Sequence, residues 1–227
     1  MTVADASRYR WKEIPGSSHD RLRRLLLALP PGRTMLDLGA GAGHLGKAVA
    51  GHFSHVAGVE ADPSARPPIG AYDEWVAASV SGELSWSRRF DVVVCADVLE
   101  HVADPESVLA RVREWIAPDG LLLVSLPNVA NVAVRISLLA GRFEYADAGI
   151  LDRTHLRFYT RRSARRLVEG GGFRIRRVRA TPIPAELPLP VLGRAPLRAP
   201  SRALFSSAAR LWPALFGYQF VIEAEPA

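Results

Sequence analysis

Apolar residues come in short runs separated by helical stretches. Thr34–Leu38, Val56–Glu60, Glu74–Ala78, Phe90–Ala96 and Leu121–Leu126 are runs of strand length, rich in β-branched residues and Leu. Between and around them, apolar positions recur at helical spacing. Leu22, Leu25, Leu26 and Leu29 mark one face of a helix over Asp20–Leu29, which Pro30-Pro31-Gly32 stops. A second helix is expected over His44–Phe53. A third is expected over Pro105–Ile116, with Asp104-Pro105 at its start. Strand and helix alternate, which predicts a parallel, doubly wound sheet. The alternation breaks after Leu126. Val129–Leu139 reads as an apolar helix, and Gly141–Asp152 as a loop. Thr160–Glu169 reads as a helix and Phe173–Ala180 as a sixth strand. A seventh strand is expected at Phe216–Glu225.

At 227 residues the chain is long enough for one domain with a sizeable core, so 1–227 is read as a single unit. Residues 1–30 form an N-terminal cap in this reading. Residues 128–157 form a cover over the C-terminal ends of the strands, where ligands of such sheets bind. Residues 181–215 form an insertion, proline-rich in its first half, with a helix expected over Ser201–Trp212. It is long for a hairpin connection; a second cover, a homodimer contact or a surface anchor are the roles open to it.

Charge adds one feature. The net charge is +6, nearly all from arginine, since Lys12 and Lys47 are the only lysines. Eight arginines and one acid, Glu169, fall within Arg161–Arg179. A single aromatic residue, Phe173, falls among them, too few for a row of stacking platforms, which argues against nucleic acid. A solvated helix face accounts for the stripe, and a phosphate-bearing substrate is the alternative. Cys95 is the sole cysteine, in an apolar strand, and excludes an intrachain disulfide. No secretory h-region and no run of transmembrane length occurs, so a cytoplasmic location is expected.

The candidate chemistry centres on Met35–Gly46, MLDLGAGAGHLG. A strand enters a turn with glycines at 39, 41, 43 and 46, Asp37 stands before the turn, and Glu60 ends the next strand. This is a nucleoside-binding βαβ unit with an acid placed for a ribose diol. Gly41-x-Gly43-x-x-Gly46 also matches the dinucleotide fingerprint, which alone is a weak signal. Asp37 at the strand tip would repel a diphosphate, so an NAD-dependent oxidoreductase is the lesser alternative. Asp37-x-Gly39-x-Gly41-x-Gly43 resembles motif I of the class I methyltransferases that use S-adenosyl-L-methionine. Phe90–Val102, FDVVVCADVLEHV, resembles the family's fourth strand and following turn. Asp119–Ser125, DGLLLVS, resembles its fifth strand. LDRTHLRFYT at 151–160 resembles a bacterial small-molecule subgroup.

The resemblance implies an α/β, Rossmann-like, seven-stranded and mostly parallel sheet. Its last strand is antiparallel, helices cover both faces, and a helical cover follows strand five. It also implies that Gly39, Ala40, Gly41 and Gly43 carry the methionine part of the cofactor, with Asp37 near its amino group. Glu60, with Ala61 beside it, would take the ribose hydroxyls. The family often has an Asp after strand three; here Ala78-Ser79-Val80 leaves Ser79 or backbone groups to frame the adenine. Asp97 would lie near the sulfonium. His155, His101 and Asp97 are the catalytic candidates, with His155 as a base oriented by Asp152. No metal is expected, because Asp97, His101, Asp104 and Asn128 show no tight ligand spacing. The expected activity is methyl transfer to a small molecule, foremost a hydroxyl of a sugar or natural product. N-methylation of an amine and a non-catalytic cofactor-binding module are the alternatives. Ala96-Asp97-Val98-Leu99 stands where an adenine methyltransferase would have NPPY.

Overall fold

A computed structural model describes residues 15–184 and 197–227. Seven strands form one sheet in the order β3-β2-β1-β4-β5-β7-β6. They are β1 (Thr34–Leu38), β2 (His55–Glu60), β3 (Glu74–Ala77), β4 (Phe90–Ala96), β5 (Ile116–Pro127), β6 (Phe173–Ala180) and β7 (Gln219–Pro226). β1 to β5 pair in parallel, while β7 runs antiparallel to both β5 and β6, between them. This is the expected Rossmann-like topology.

The helices are α1 (Ser18–Leu27), α2 (His44–Ala48), α3 (Pro105–Trp115), α4 (Val132–Leu139), α5 (Arg161–Gly170), α6 (Arg198–Leu211) and α7 (Pro213–Phe216). Two cores follow from the period-two alternation of the strands. Met35, Val92, Val94, Leu121 and Leu123 pack with Leu22 and Leu26 of α1 and Leu45 of α2 on one face. Leu36, Leu38, Val93, Cys95, Leu122 and Val124 pack with α3 and α5 on the other. The starts of four helices are capped by side chains: Ser17 for α1, Asp104 for α3, Asn131 for α4 and Thr160, in a capping box with Ser163, for α5.

Three boundaries differ from expectation. α2 ends at Ala48, short of Phe53. Ala50 and His52 donate to residues three back, Lys47 and Val49, and Gly51 takes φ +76°, so the chain tightens and leaves the helix. β5 starts at Ile116, and Pro118–Gly120 form an irregularity between the pairs Phe90↔Ile116 and Val92↔Leu121. Phe216 is helical, because Pro213 opens α7 and the Phe216 N–H donates to Trp212 O at 2.9 Å. The first half of the 181–215 insertion lies largely outside the described residues, as do residues 1–14 of the N-terminal cap.

Candidate active site

The glycine turn sits at the C-terminal end of β1, flanked by β2 and β4. Each glycine serves a different neighbour. A Cβ on Gly39 would come 2.4 Å from Val98, one on Gly43 2.7 Å from Pro67, and one on Gly46 2.5 Å from the Tyr72 ring. A Cβ on Gly41 would meet nothing within 4 Å. The turn is therefore closed on its own protein at three glycines and open at Gly41, where φ is +54°.

Four backbone donors of the turn are already used. Gly39 and Ala40 N–H donate to Val59 O at 2.8 and 2.9 Å, and Gly43 N–H to Ala40 O at 2.9 Å. Gly41 N–H donates to Glu60 Oε2 at 2.7 Å, while Asp62 N–H donates to Glu60 Oε1 at 2.9 Å. Glu60 thus lies at the rim of the open glycine, with Ala61 exposed beside it. A pyrophosphate would need those N–H groups; a cation needs the acids around them.

Asp37 lies beneath the turn, 2% exposed. Its Oδ2 accepts from the Tyr72 hydroxyl at 2.7 Å, and that hydroxyl accepts from Gly46 N–H at 3.2 Å. Burial pushes the Asp37 carboxyl up to about 7; Tyr72 pulls it back down and the nearby Glu60 charge adds to the rise. Tyr72 was absent from the sequence reading. It comes from the β2–β3 connection, an irregular segment with no helix, whose Pro67 and Pro68 pack on Gly43.

Asp97 follows β4 with φ +55°, the sole described non-glycine residue with positive φ. Its backbone and side chain are held from two strands. Its N–H donates to Ser125 Oγ at 3.0 Å, and its Oδ1 accepts from the Ser125 hydroxyl and, at 2.9 Å, from Gln219 Nε2. Ser79, after β3, is half-buried and accepts from Ser81 N–H at 3.2 Å. The guanidinium of Arg111 in α3 ties that loop down through the carbonyls of Val80 and Gly82.

His101 and His155 meet edge to face, ring centroids 4.8 Å apart. His101 Nδ1 lies 3.2 Å from Thr154 O, and His155 Nδ1 lies 3.1 Å from Ile150 O. With its Nδ1–H given to the Ile150 carbonyl, the His155 ring has Nε2 as its acceptor. Burial lowers both pKa values, and the charges of Asp152 and Asp97 oppose that shift. Asp152 O accepts from the His155 N–H at 3.0 Å, but the Asp152 carboxylate does not bond the imidazole. Its Oδ1 accepts instead from the Thr154 N–H and hydroxyl, at 2.8 and 2.6 Å, closing a local Asx turn. Glu100 lies buried alongside; its ligand atom and those of the two histidines all fall within 4.8 Å of one another. Such a set could hold a metal ion. Of the residues considered from sequence for metal, His101 belongs to it.

The 128–157 segment is anchored at both ends. Asn128 and Asn131 donate to Gly217 O at 2.9 and 2.8 Å, and Leu156 and Arg157 N–H donate to Glu100 O at 2.8 and 3.0 Å. Between the anchors, residues 140–148 are exposed, with Gly141 and Gly149 at φ +70° and +99°.

The family model described as "Methyltransferase domain" matches residues 8–178. The chain belongs to this methyltransferase family. A ubiquinone biosynthesis O-methyltransferase of Aeromonas salmonicida is 27% identical over 64% of this chain and 64% of its own length. The mitochondrial ubiquinone biosynthesis O-methyltransferase of Schizosaccharomyces pombe is 34% identical over 41% of this chain and 38% of its own. The chain thus spans less than two thirds of these methyltransferases. The fold is shared with the Burkholderia thailandensis 1,6-didemethyltoxoflavin-N1-methyltransferase, solved with S-adenosylhomocysteine. That match has a TM-score of 0.59 at 17% identity and covers 94% of this chain and 80% of the other.

Proposed function

We propose that this methyltransferase domain binds S-adenosyl-L-methionine over Gly41 and methylates a hydroxyl of a small molecule, foremost a sugar or natural product. The cofactor supplies an electrophilic methyl on a sulfonium. The carrying observation is the pairing of an anionic, open glycine turn with a buried and a half-buried imidazole, His155 and His101, at the same end of the sheet.

Glu60 can take both ribose hydroxyls, since each carboxylate oxygen accepts more than one hydrogen bond and has one backbone N–H partner, Gly41 or Asp62. Asp37 contributes a negative field from below, through Tyr72, rather than an exposed oxygen. Asp97, pinned by Ser125 and Gln219, presents its carboxylate beside the end of β4. Ser79 and the backbone after β3 frame the adenine.

A hydroxyl acceptor must lose a proton as its oxygen attacks the methyl carbon in line. His155 takes that proton on Nε2, and His101 packs edge-on against it. Both are neutral at neutral pH, because burial lowers their pKa values. The 128–157 segment closes over the site and excludes water. The test is an acceptor screen with labelled S-adenosyl-L-methionine. Label transfer to hydroxylated acceptors that His155→Ala abolishes supports the reading. Cofactor binding without transfer to any acceptor would favour a binding module.

A second reading is N-methylation, and the toxoflavin-pathway neighbour is named for such a reaction. An amine already neutral when bound needs no protein base. It would keep its rate in His155→Ala.

A further inference from the structure

The eight arginines of Arg161–Arg179 divide into two groups in the fold. Three of the four on β6, all but Arg177, are answered by β7. Arg174 and Arg176 pair with Glu225, and Arg179 pairs with Glu223 at 3.2 Å. Such pairs cover an edge strand and offset part of its charge. The four on α5 have a different setting.

Arg161, Arg162, Arg165 and Arg166 line a cavity of about 430 Å³ together with Arg135 of α4. The one acid in the lining, Glu169, is bound by Arg165 at 2.7 Å. Among the described residues, no carboxylate pairs with Arg161, Arg162 or Arg166. Arg135 Nε donates at 2.7 Å to Ala130 O, which holds its guanidinium against the wall. Arginines gathered around one concavity repel one another unless an anion joins them. Guanidinium forks match phosphate oxygens with paired, charge-assisted hydrogen bonds.

The position is as informative as the charge. Thr160 and Ala130, also in the wall, each lie next to the site's own framework. Asn128 bridges Tyr159, and Val129 N–H donates to Tyr159 O at 2.9 Å. The cavity therefore opens at the C-terminal end of β5, the end that carries Asp97 and the glycine turn. The helix that carries Arg135 also exposes Ile136 (61%) and Leu139 (89%), and Trp212, two residues before Ala214 of the lining, is 63% exposed.

We infer that this cavity binds a phosphate or diphosphate group, carried either by a lipid or by a soluble small molecule. The arginines recognise the phosphate in both cases. Ile136, Leu139 and Trp212 would additionally meet the hydrocarbon of a lipid.

Binding can be measured without the methyl donor, so it is separable from the catalytic proposal. Inorganic pyrophosphate is titrated by calorimetry, and vesicles of phosphatidylglycerol or of phosphatidylcholine are used in co-sedimentation. The variants are Arg162→Gln/Arg166→Gln and, as a control of the paired arginines, Arg174→Gln. Saturable pyrophosphate binding that weakens about tenfold or more in the double variant, and little in the control, supports a soluble phosphate. Binding to phosphatidylglycerol but not phosphatidylcholine vesicles, lost in the same double variant, supports a lipid-borne one. No binding of either probe overturns the inference. So does an equal loss in Arg174→Gln, which would mean diffuse surface charge. Circular dichroism checks that the variants fold, as expected for exposed positions.

Discussion

The Tyr72 hydroxyl donates to Asp37 Oδ2 at 2.7 Å across 35 residues of sequence. The bond stabilises an anion in a buried position, and it sets a pH dependence. The Asp37 carboxyl titrates near 7 when folded and near 3.8 when unfolded. Its neutral form is the one folding favours. Its contribution to stability is therefore present below about pH 3.8 and lost as pH rises through about 7. Tyr72→Phe should raise the folded value further and cost about 1–3 kcal/mol where Asp37 is ionised. Urea unfolding at pH 6 and pH 8 should show the larger loss at pH 8. An equal loss at both would disconnect Tyr72 from Asp37.

The same titration predicts proton release. A bound cation should lower the Asp37 pKa, so S-adenosyl-L-methionine binding near pH 7 should expel part of a proton. Calorimetry in buffers of different ionisation enthalpy reads this as a buffer-dependent heat. Asp37→Asn should abolish the dependence.

Glu60→Ala should weaken cofactor binding by about 1–3 kcal/mol, from lost charged hydrogen bonds. It also frees the Gly41 and Asp62 N–H groups, so hydrogen exchange at those amides should quicken. Unchanged affinity would remove Glu60 from the ribose site.

Gly46→Ala and Gly41→Ala should separate packing from binding. The first drives a Cβ to 2.5 Å from the Tyr72 ring and should cost about 1–3 kcal/mol of fold stability. The second meets no neighbour, pays only for φ +54°, and should act on cofactor affinity. Thermal melts with and without S-adenosylhomocysteine distinguish the two. Identical behaviour of both variants would refute the assignment of Gly41 as the ligand-facing position.

His155→Ala should lower turnover by about 10²–10⁴ with little change in cofactor affinity. Because burial lowers the His155 pKa below 6.5, the wild-type rate should hold down to pH 6.5 and fall only below it. An active variant with the same profile would pass the role to His101 or to no base. Dialysis against a chelator should leave the rate unchanged. A loss restored by one divalent ion would instead give Glu100, His101 and His155 a metal.

What could be read from sequence was local. The strands, the capped starts of α1 and α3, and the acids at 37, 60 and 97 all announce themselves within a few residues. The strand order with β7 between β5 and β6 came with the family resemblance. Tyr72 and Gln219 were illegible because their partners are 35 and 122 residues away, and neither sits in a motif. The end of α2 differs because a segment with glycines at 46 and 51 fits a helix and a tightened turn equally well. Asp152 looked like the partner of His155 by proximity along the chain. An Asp two residues before a threonine more readily bonds its own backbone turn, and it did.

The Gln219–Asp97 bond has a consequence for the order of assembly. β4 and β5 can pair as soon as both are synthesised, yet Asp97, in its strained backbone state, gains its second side-chain donor only when a strand 122 residues later inserts between β5 and β6. During translation the nascent chain must keep β5 and β6 apart, with Leu126 and Val124 uncovered, until β7 arrives. The slowest step of maturation should then be strand insertion, as for other long-range pairings. Pulse-labelled hydrogen exchange on the refolding protein should protect the β1–β4 amides first, and the amides of Asp97 and Ser125 together with those of Gln219–Pro226.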